Sequence, residues 1–396
     1  LDIPVKHDRT FLKRGGAVVS AAIIRKEAAG ARREKWAEKN RGNSGEEKGE
    51  GNFLQKAAKE AKGGGRNGEC FGWRWFGLHI FRGRGFLRRM PFSFAGIIPA
   101  VWTPTDADGR LLRGALRQNL DWMLDAGVKQ LLMLGSTGEF VHLSSELRKE
   151  VLEAALEHLA GRDVPVFVNI SHTNPRTVVE LGRHAKSAGA ASVTLLPPWF
   201  YPMSDADLVE FFVRAIEAID LPLGLYNFQA MTGKRLTPEL VRAIAKRAPV
   251  AGLKHSAGEL QEHKALAEVG AEFGFKVVTG WDTHYPEATA LGATGCISGL
   301  ANVVPELMLE IDTLLKSGRV EDLYMPAGWM RRIGDLVGQL EFPHNVAAAM
   351  EARGLEAGVS KAHRSAATEA KYLELRNKLM DLFTEMGLPT MDCLFK

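Results

Sequence analysis

A chain of 396 residues with 45% hydrophobic and 25% charged side chains has the make-up of a soluble globular protein, which excludes a disordered or fibrous one. Its three cysteines, Cys70, Cys296 and Cys393, exclude a disulfide framework and share no metal-ligand spacing, so a reducing, cytoplasmic setting is expected. No apolar stretch reaches the roughly 18 residues of a membrane-spanning helix.

The net charge of +4 averages two unlike parts. Residues 1–89 hold 21 Lys+Arg against 10 Asp+Glu, and the remainder holds 30 against 37. The first part has little apolar periodicity, a glycine-rich patch (KGGGRNGECFG) and an arginine-rich end (FRGRGFLRRM); the first methionine is Met90. It reads as a basic, disordered extension, upstream sequence translated from a misplaced start. Basic clusters beside Trp73, Trp75 and Phe76 suggest a tail for nucleic acid or an anionic surface. Glutamates interrupt those clusters, so no nucleic-acid or membrane partner is expected, and they also count against a transit peptide.

From Gly96 onward short apolar runs alternate with amphipathic stretches. The runs are IIPAVW (97–102), QLLML (130–134), VPVFVNI (164–170), ASVTLL (191–196), LPLGLY (221–226), VAGLK (250–254), FKVVTG (275–280) and GCISG (295–299). They start every 20 to 34 residues, room for one strand, one helix and two loops. Between them, Asn174-Pro175 and Thr237-Pro238 read as N-caps with proline at the first helical position. Ser204 with Asp207 resembles a capping box, and Gly127 and Gly189 sit at helix stops.

Eight βα units with continuous apolar strands predict an α/β fold, a closed (β/α)8 TIM barrel over residues 90–318. An open doubly wound sheet is the alternative, but no glycine-rich dinucleotide fingerprint follows the first run. Segments 319–340, 344–354 and 366–386 read as helices of a C-terminal extension (319–396) that packs on the barrel or forms a subunit interface.

In such a barrel the active site lies at the C-terminal ends of the strands. Side chains alternate along a strand, so Val250, Gly252 and Lys254 share one face, as do Pro222, Gly224 and Tyr226. Each strand thus places a glycine one layer below its polar residue, which predicts open space above the packed core. A lone lysine at a strand end is usually solvated. Convergence with Tyr226, on a strand about 4.8 Å away, makes Lys254 a candidate Schiff-base nucleophile and Tyr226 a candidate proton shuttle.

The loop Gly135-Ser136-Thr137-Gly138 precedes a helix starting near Ser144 or Ser145, and its amides and hydroxyls can hold a carboxylate. Glu139 reads as a structural residue of that loop. Asp282 and His284, after the seventh strand, could bond substrate hydroxyls, and Asp282 reads equally well as a helix cap. His142, His172 and His255 lie near other strand ends. Neither HExxH nor clustered carboxylates accompany them, so no metal is expected. Without a Walker-type GxxxxGK[ST], no nucleotide phosphate is expected either.

These residues resemble the dihydrodipicolinate synthase/N-acetylneuraminate lyase family. The resemblance runs from about Gly96 through the barrel and, more weakly, the C-terminal helices. It rests on GSTGE (135–139), on Tyr226-Asn227 followed by Thr232-Gly233, on GLKHSAG (252–258) and on GWD (280–282). It implies a (β/α)8 barrel, class I pyruvate-dependent aldolase chemistry and a homotetramer without metal or organic cofactor. It assigns Lys254 as the Schiff-base lysine, Tyr226 as general acid/base, and Ser136 with Thr137 as carboxylate holders. It places Ile297 near bound pyruvate.

The departures bear on substrate. The synthases of the family carry an arginine where this chain has Met231, and a tyrosine lent across a subunit interface where it has Phe200. Their usual proline falls near Gln229. Asp282 matches an aspartate that the neuraminate lyases use for sugar hydroxyls, but Thr283 replaces their following glutamate. The runs LYNFQAMTGKRLTPELV and GWDTH look closer to the 2-keto-3-deoxy-sugar-acid aldolases. The expectation is therefore a lyase that cleaves or forms a 2-oxo-3-deoxy sugar acid from pyruvate and an aldehyde. A 4-hydroxy-tetrahydrodipicolinate synthase and a sugar-acid dehydratase are the alternatives. A non-catalytic 2-oxo-acid binding protein is disfavoured, because it needs no nucleophile.

Overall fold

The computed structural model describes residues 92–256 and 260–390. The expectations for residues 1–89, for Met90, Cys70 and Cys393, and for Ala257 and Gly258 of GLKHSAG lie outside the described residues.

Eight strands fall on the eight apolar runs: β1 (Gly96–Pro99), β2 (Leu131–Met133), β3 (Val166–Asn169), β4 (Ser192–Leu195), β5 (Leu223–Asn227), β6 (Gly252–His255), β7 (Lys276–Thr279) and β8 (Gly295–Ser298). The longest helix that follows each is α1 (Arg113–Asp125), α2 (Ser145–His158), α3 (Pro175–Ala188), α4 (Asp205–Ile219), α5 (Pro238–Ala245), α6 (Glu262–Phe273), α7 (Tyr285–Ala290) and α8 (Pro305–Lys316), with a one-turn helix, Gln229–Thr232, between β5 and α5. The strands are parallel in the order β1-β8-β7-β6-β5-β4-β3-β2. A parallel bridge between Ala100 and Leu132, with Val101 N donating to Leu132 O at 2.8 Å, brings the ends of the sheet together. The fold is a (β/α)8 TIM barrel.

Local chemistry sets the helix starts. Ser144, Asn174, Ser204 and Thr237 each accept a hydrogen bond from a first-turn amide, so each cap satisfies an otherwise orphaned N–H. Gly189, at φ 95°, closes α3 in the left-handed region that glycine enters without a Cβ penalty.

Outward strand residues such as Val193, Leu225, Leu253 and Val277 pack under the helices. Inward ones, including Ile98, Leu132, Phe167, Val278 and Ile297, form a separate interior core with Phe92 and Phe94. Here the structure corrects the expectation for Gly224 and Gly252. A Cβ at either would lie 2.4 or 2.2 Å from the Phe94 ring. The room these glycines leave is filled by an aromatic plug, in which Phe94 and Phe92 each meet Phe167 at 5.1 Å. The glycines are there because the ring needs the space.

The chain continues through α9 (Tyr324–Val337), α10 (His344–Ala352) and α11 (Ala366–Glu385). They share a core with β1, β8 and α8, in which Ile97, Cys296 and Met308 meet Met330, Ala348 and Phe383. Arg353, fully buried, donates to Val303 O, Pro389 O and Glu306, with Trp122 and Phe383 against its guanidinium. No helix among the described residues is long and apolar enough to cross a membrane.

Candidate active site

Tyr226 and Lys254 are register partners on β5 and β6. Lys254 Nζ donates to Tyr226 Oη at 3.1 Å and lies 4.3 Å from the ring centroid. Ser136 Oγ stands 3.2 Å from the same phenol oxygen, so amine, phenol and hydroxyl form one chain drawn from two strands and the loop after β2. Lys254 is 5% and Tyr226 1% exposed. Tyr226 stacks on Phe228 at 5.8 Å, which fixes the ring plane.

Two glycines make this approach possible. A Cβ at Gly280, on the neighbouring strand end, would lie 2.7 Å from Lys254 Cε and 1.8 Å from Ser256 Oγ. A Cβ at Gly138 would lie 2.8 Å from Val101 O, so only glycine lets the Ser136-Thr137 loop pack on the extension of β1. That loop is bracketed by two non-glycine residues in the left-handed region, Leu134 (φ 59°) and Glu139 (φ 53°). Asn169 Nδ2 holds Leu134 O at 2.9 Å, and buried Arg148 in turn donates to Asn169 O and Ser171 O.

A cavity of about 400 Å³ opens above these groups at the C-terminal end of the strands. Among the residues singled out from the sequence, Lys254, Tyr226, Ser136, Thr137, Ile297, Asp282 and Met231 line it. Ile297 and Thr137 are buried, and Met231 stands 56% exposed at the rim. Asp282 turns its carboxylate towards the end of β8, accepting from Ser298 Oγ and, at 3.3 Å, from Leu300 N. The residue is partly exposed but its carboxylate is enclosed. Burial pushes its pKa up, against the hydrogen bonds and the charge of Lys254. It therefore ties down the turn after β8 and lines the cavity, and it caps neither of the helical segments that follow β7.

Other candidates lie apart. His284 is exposed, bonded to Thr283 and tilted against Trp281. Phe200 is 84% exposed, edge-on to Tyr201 at 4.9 Å, and does not line the cavity. Glu139 is ion-paired with Lys361, in keeping with a structural residue. His255 alternates with Lys254 and faces away, bonded to Asn227 Nδ2 at 3.0 Å and packed on His263. Among the described residues no group of three His, Cys, Asp or Glu is arranged to hold a metal ion.

The sequence reading missed Ser256, whose buried hydroxyl lines the cavity without a protein partner among the described residues. Its place two residues beyond Lys254 on the same face was signal enough. It also missed Phe342, Asn345 and Val346, which roof the cavity from the C-terminal extension. Nothing in their local pattern points there.

Comparisons with known proteins agree with this fold. The model of the dihydrodipicolinate synthetase family matches residues 93–382. The chain is 36% identical over 245 residues to the putative 2-dehydro-3-deoxy-D-gluconate aldolase YagE of Escherichia coli K12, spanning 61% of this chain and 80% of that protein. It is 31% identical over 302 residues to a 4-hydroxy-tetrahydrodipicolinate synthase of Methanothrix thermoacetophila, spanning 74% and 99%. Among solved structures, YagE in complex with pyruvate superimposes with a TM-score of 0.68 at 31% identity, over 73% of this chain and 98% of that one.

Proposed function

The chain belongs to the dihydrodipicolinate synthetase family, whose members are class I, pyruvate-dependent lyases and aldolases, and from that premise we propose that it cleaves or forms a 2-oxo-3-deoxy sugar acid. The observation that carries the reading is the chain Lys254–Tyr226–Ser136 on the floor of the cavity.

The geometry suits one sequence of steps. Ser136 and Thr137 hold the substrate carboxylate, which sets the C2 carbonyl over Lys254. The amine adds to C2, water leaves, and the protonated imine becomes an electron sink. Tyr226 takes the proton of the C4 hydroxyl as the C3–C4 bond breaks, and the bonding pair moves onto the imine nitrogen as an enamine. The aldehyde departs. Protonation at C3 and hydrolysis of the imine then release pyruvate and restore Lys254; condensation runs the same steps in reverse.

Three features support a sugar acid over the semialdehyde of a synthase. Met231 has no charge to offer a second carboxylate at the cavity rim. Ser256 and Asp282 add polar side chains to the lining of the cavity. YagE, named as a sugar-acid aldolase, is similar at 36% identity. The family resemblance also carries the proposal of a cytoplasmic homotetramer, which sedimentation of the purified protein would check.

Incubation with pyruvate and borohydride, followed by peptide mapping, tests the chemistry: a reduced pyruvyl adduct on Lys254 is expected, and its absence overturns the reading. A panel of aldehydes with pyruvate tests the substrate. Turnover confined to aspartate semialdehyde would replace the sugar-acid aldolase by the synthase.

A further inference from the structure

We propose that Lys361, in the C-terminal extension, is a positioning residue for the reaction: it clamps Glu139 and thereby sets the Ser136 and Thr137 hydroxyls that receive the substrate carboxylate. The inference rests on the function proposed above for that loop.

Lys361 is delivered by a segment laid along the extension of β1. Val359 N donates to Thr105 O at 2.7 Å, and Gly358 forms a parallel bridge with Thr105. Gly358 adopts φ 74°, and a Cβ there would lie 2.5 Å from Thr105 O, so the segment seats only with glycine. Trp102 Nε1 fastens it again by donating to Ala357 O at 2.7 Å. The Lys361 ammonium then reaches three groups at once: the Glu139 carboxylate, Thr103 O at 2.7 Å and the face of Trp102 at 5.1 Å.

The pair is dry. The Lys361 side chain is 7% exposed and that of Glu139 2%, so solvent cannot stand in for a lost partner. Glu139 also occupies the left-handed region, which its own backbone disfavours. The opposite end of the loop, Leu134, is in the same region and is held by Asn169. A loop strained at both ends, each end held by one distant side chain, keeps its hydroxyls in place only while both holds persist. Of the two, Lys361 lies outside the barrel strands, and its contacts are with Glu139, Thr103 and Trp102 and not with Lys254 or Tyr226.

The test is Lys361→Met in the full chain, read in two ways. The first is the pyruvate concentration that gives half-maximal borohydride-trapped adduct, and the second is amide hydrogen exchange over residues 134–142. Loss of one charge-assisted contact to the loop should raise the half-saturating pyruvate about tenfold, with the same adduct yield at saturation. Exchange should quicken in 134–142 and stay unchanged in β5 and β6. Lys361→Arg, which keeps the charge, should recover most of the affinity. Unchanged half-saturation with unchanged loop exchange overturns the proposal, and so does exchange that quickens uniformly through the barrel, the mark of a merely structural role. If Lys361→Met fails to fold, Glu139→Gln with Lys361→Met removes the unpaired charge and is read identically. If the wild-type protein forms no adduct at all, the proposed function falls and loop exchange alone decides the clamp: faster exchange supports it, unchanged exchange overturns it.

Discussion

Lys254 Nζ and Tyr226 Oη are 3.1 Å apart because their residues are register partners on adjacent parallel strands. The pair is built into the sheet ladder and does not wait on a loop to bring it together. A nucleophile and a proton shuttle held on rigid strands keep their geometry through binding and release.

Removing the phenol while keeping the ring separates their roles. Tyr226→Phe should still form the reducible pyruvate adduct on Lys254, yet lose about 10²–10⁴-fold in turnover, the usual contribution of a positioned acid or base. Steady-state rates set beside trapping yields would show this; turnover within threefold of wild type would remove Tyr226 from the mechanism.

The aromatic plug makes a stability prediction. Gly252→Ala drives a methyl into the Phe94 ring and should cost about 1–3 kcal/mol by overpacking. Phe94→Ala should itself cost about 3–5 kcal/mol. In that background Gly252→Ala should cost almost nothing, because the clash has gone. Urea midpoints of the four proteins close the cycle, and additive costs would show that the ring is not what the glycine serves.

Met231→Arg places a cation at the exposed rim of the cavity. The ratio of kcat/KM for an aldehyde bearing a carboxylate over a neutral hydroxyaldehyde should rise about tenfold, the worth of one hydrogen bond to a charged group. An unchanged ratio in competition assays would mean that the second carboxylate does not reach residue 231.

Acid stability follows from the layer behind β6. Burial holds His255 down to about 3, with His263 and Arg235 adding to the effect, and burial holds His263 down to about 4, against an ordinary value of 6.5. The 3.5 Å approach of His255 Nε2 to Glu262 therefore joins a neutral ring to a carboxylate whose cationic partner is Arg235, at 2.8 Å. Both folded-state values are depressed, so as pH falls below 6.5 the unfolded chain takes up protons that the native chain refuses. Stability should drop by up to about 1.4 kcal/mol per pH unit for each histidine between pH 6.5 and 4, and neither histidine should contribute a slope above pH 7. Neither ring nitrogen of His263 meets a protein partner among the described residues, so His263→Leu should fold and lose one histidine's share of that slope. Denaturation at pH 7.5, 6 and 5 measures it.

What the sequence made legible was whatever repeats with a short period. All eight strands fell on apolar runs, and the two-residue alternation placed Lys254 and Tyr226 on one face. Ser256 obeyed the same rule and was overlooked. The period could not say what fills a gap. Gly224 and Gly252 were visible as missing side chains, but Phe94, which fills them, lies more than a hundred positions earlier and outside any strand. Lys361 shows the same limit, since its contact with Glu139 joins positions 222 residues apart and depends on how the extension folds back.

The roof of the cavity belongs to the C-terminal extension, through Phe342, Asn345 and Val346. During vectorial synthesis the nucleophile and its phenol emerge well before the residues that enclose them, and domains begin to fold as they emerge. A nascent chain that has completed its barrel carries an amine in an unfinished pocket, and the lining is complete only when translation has passed Val346.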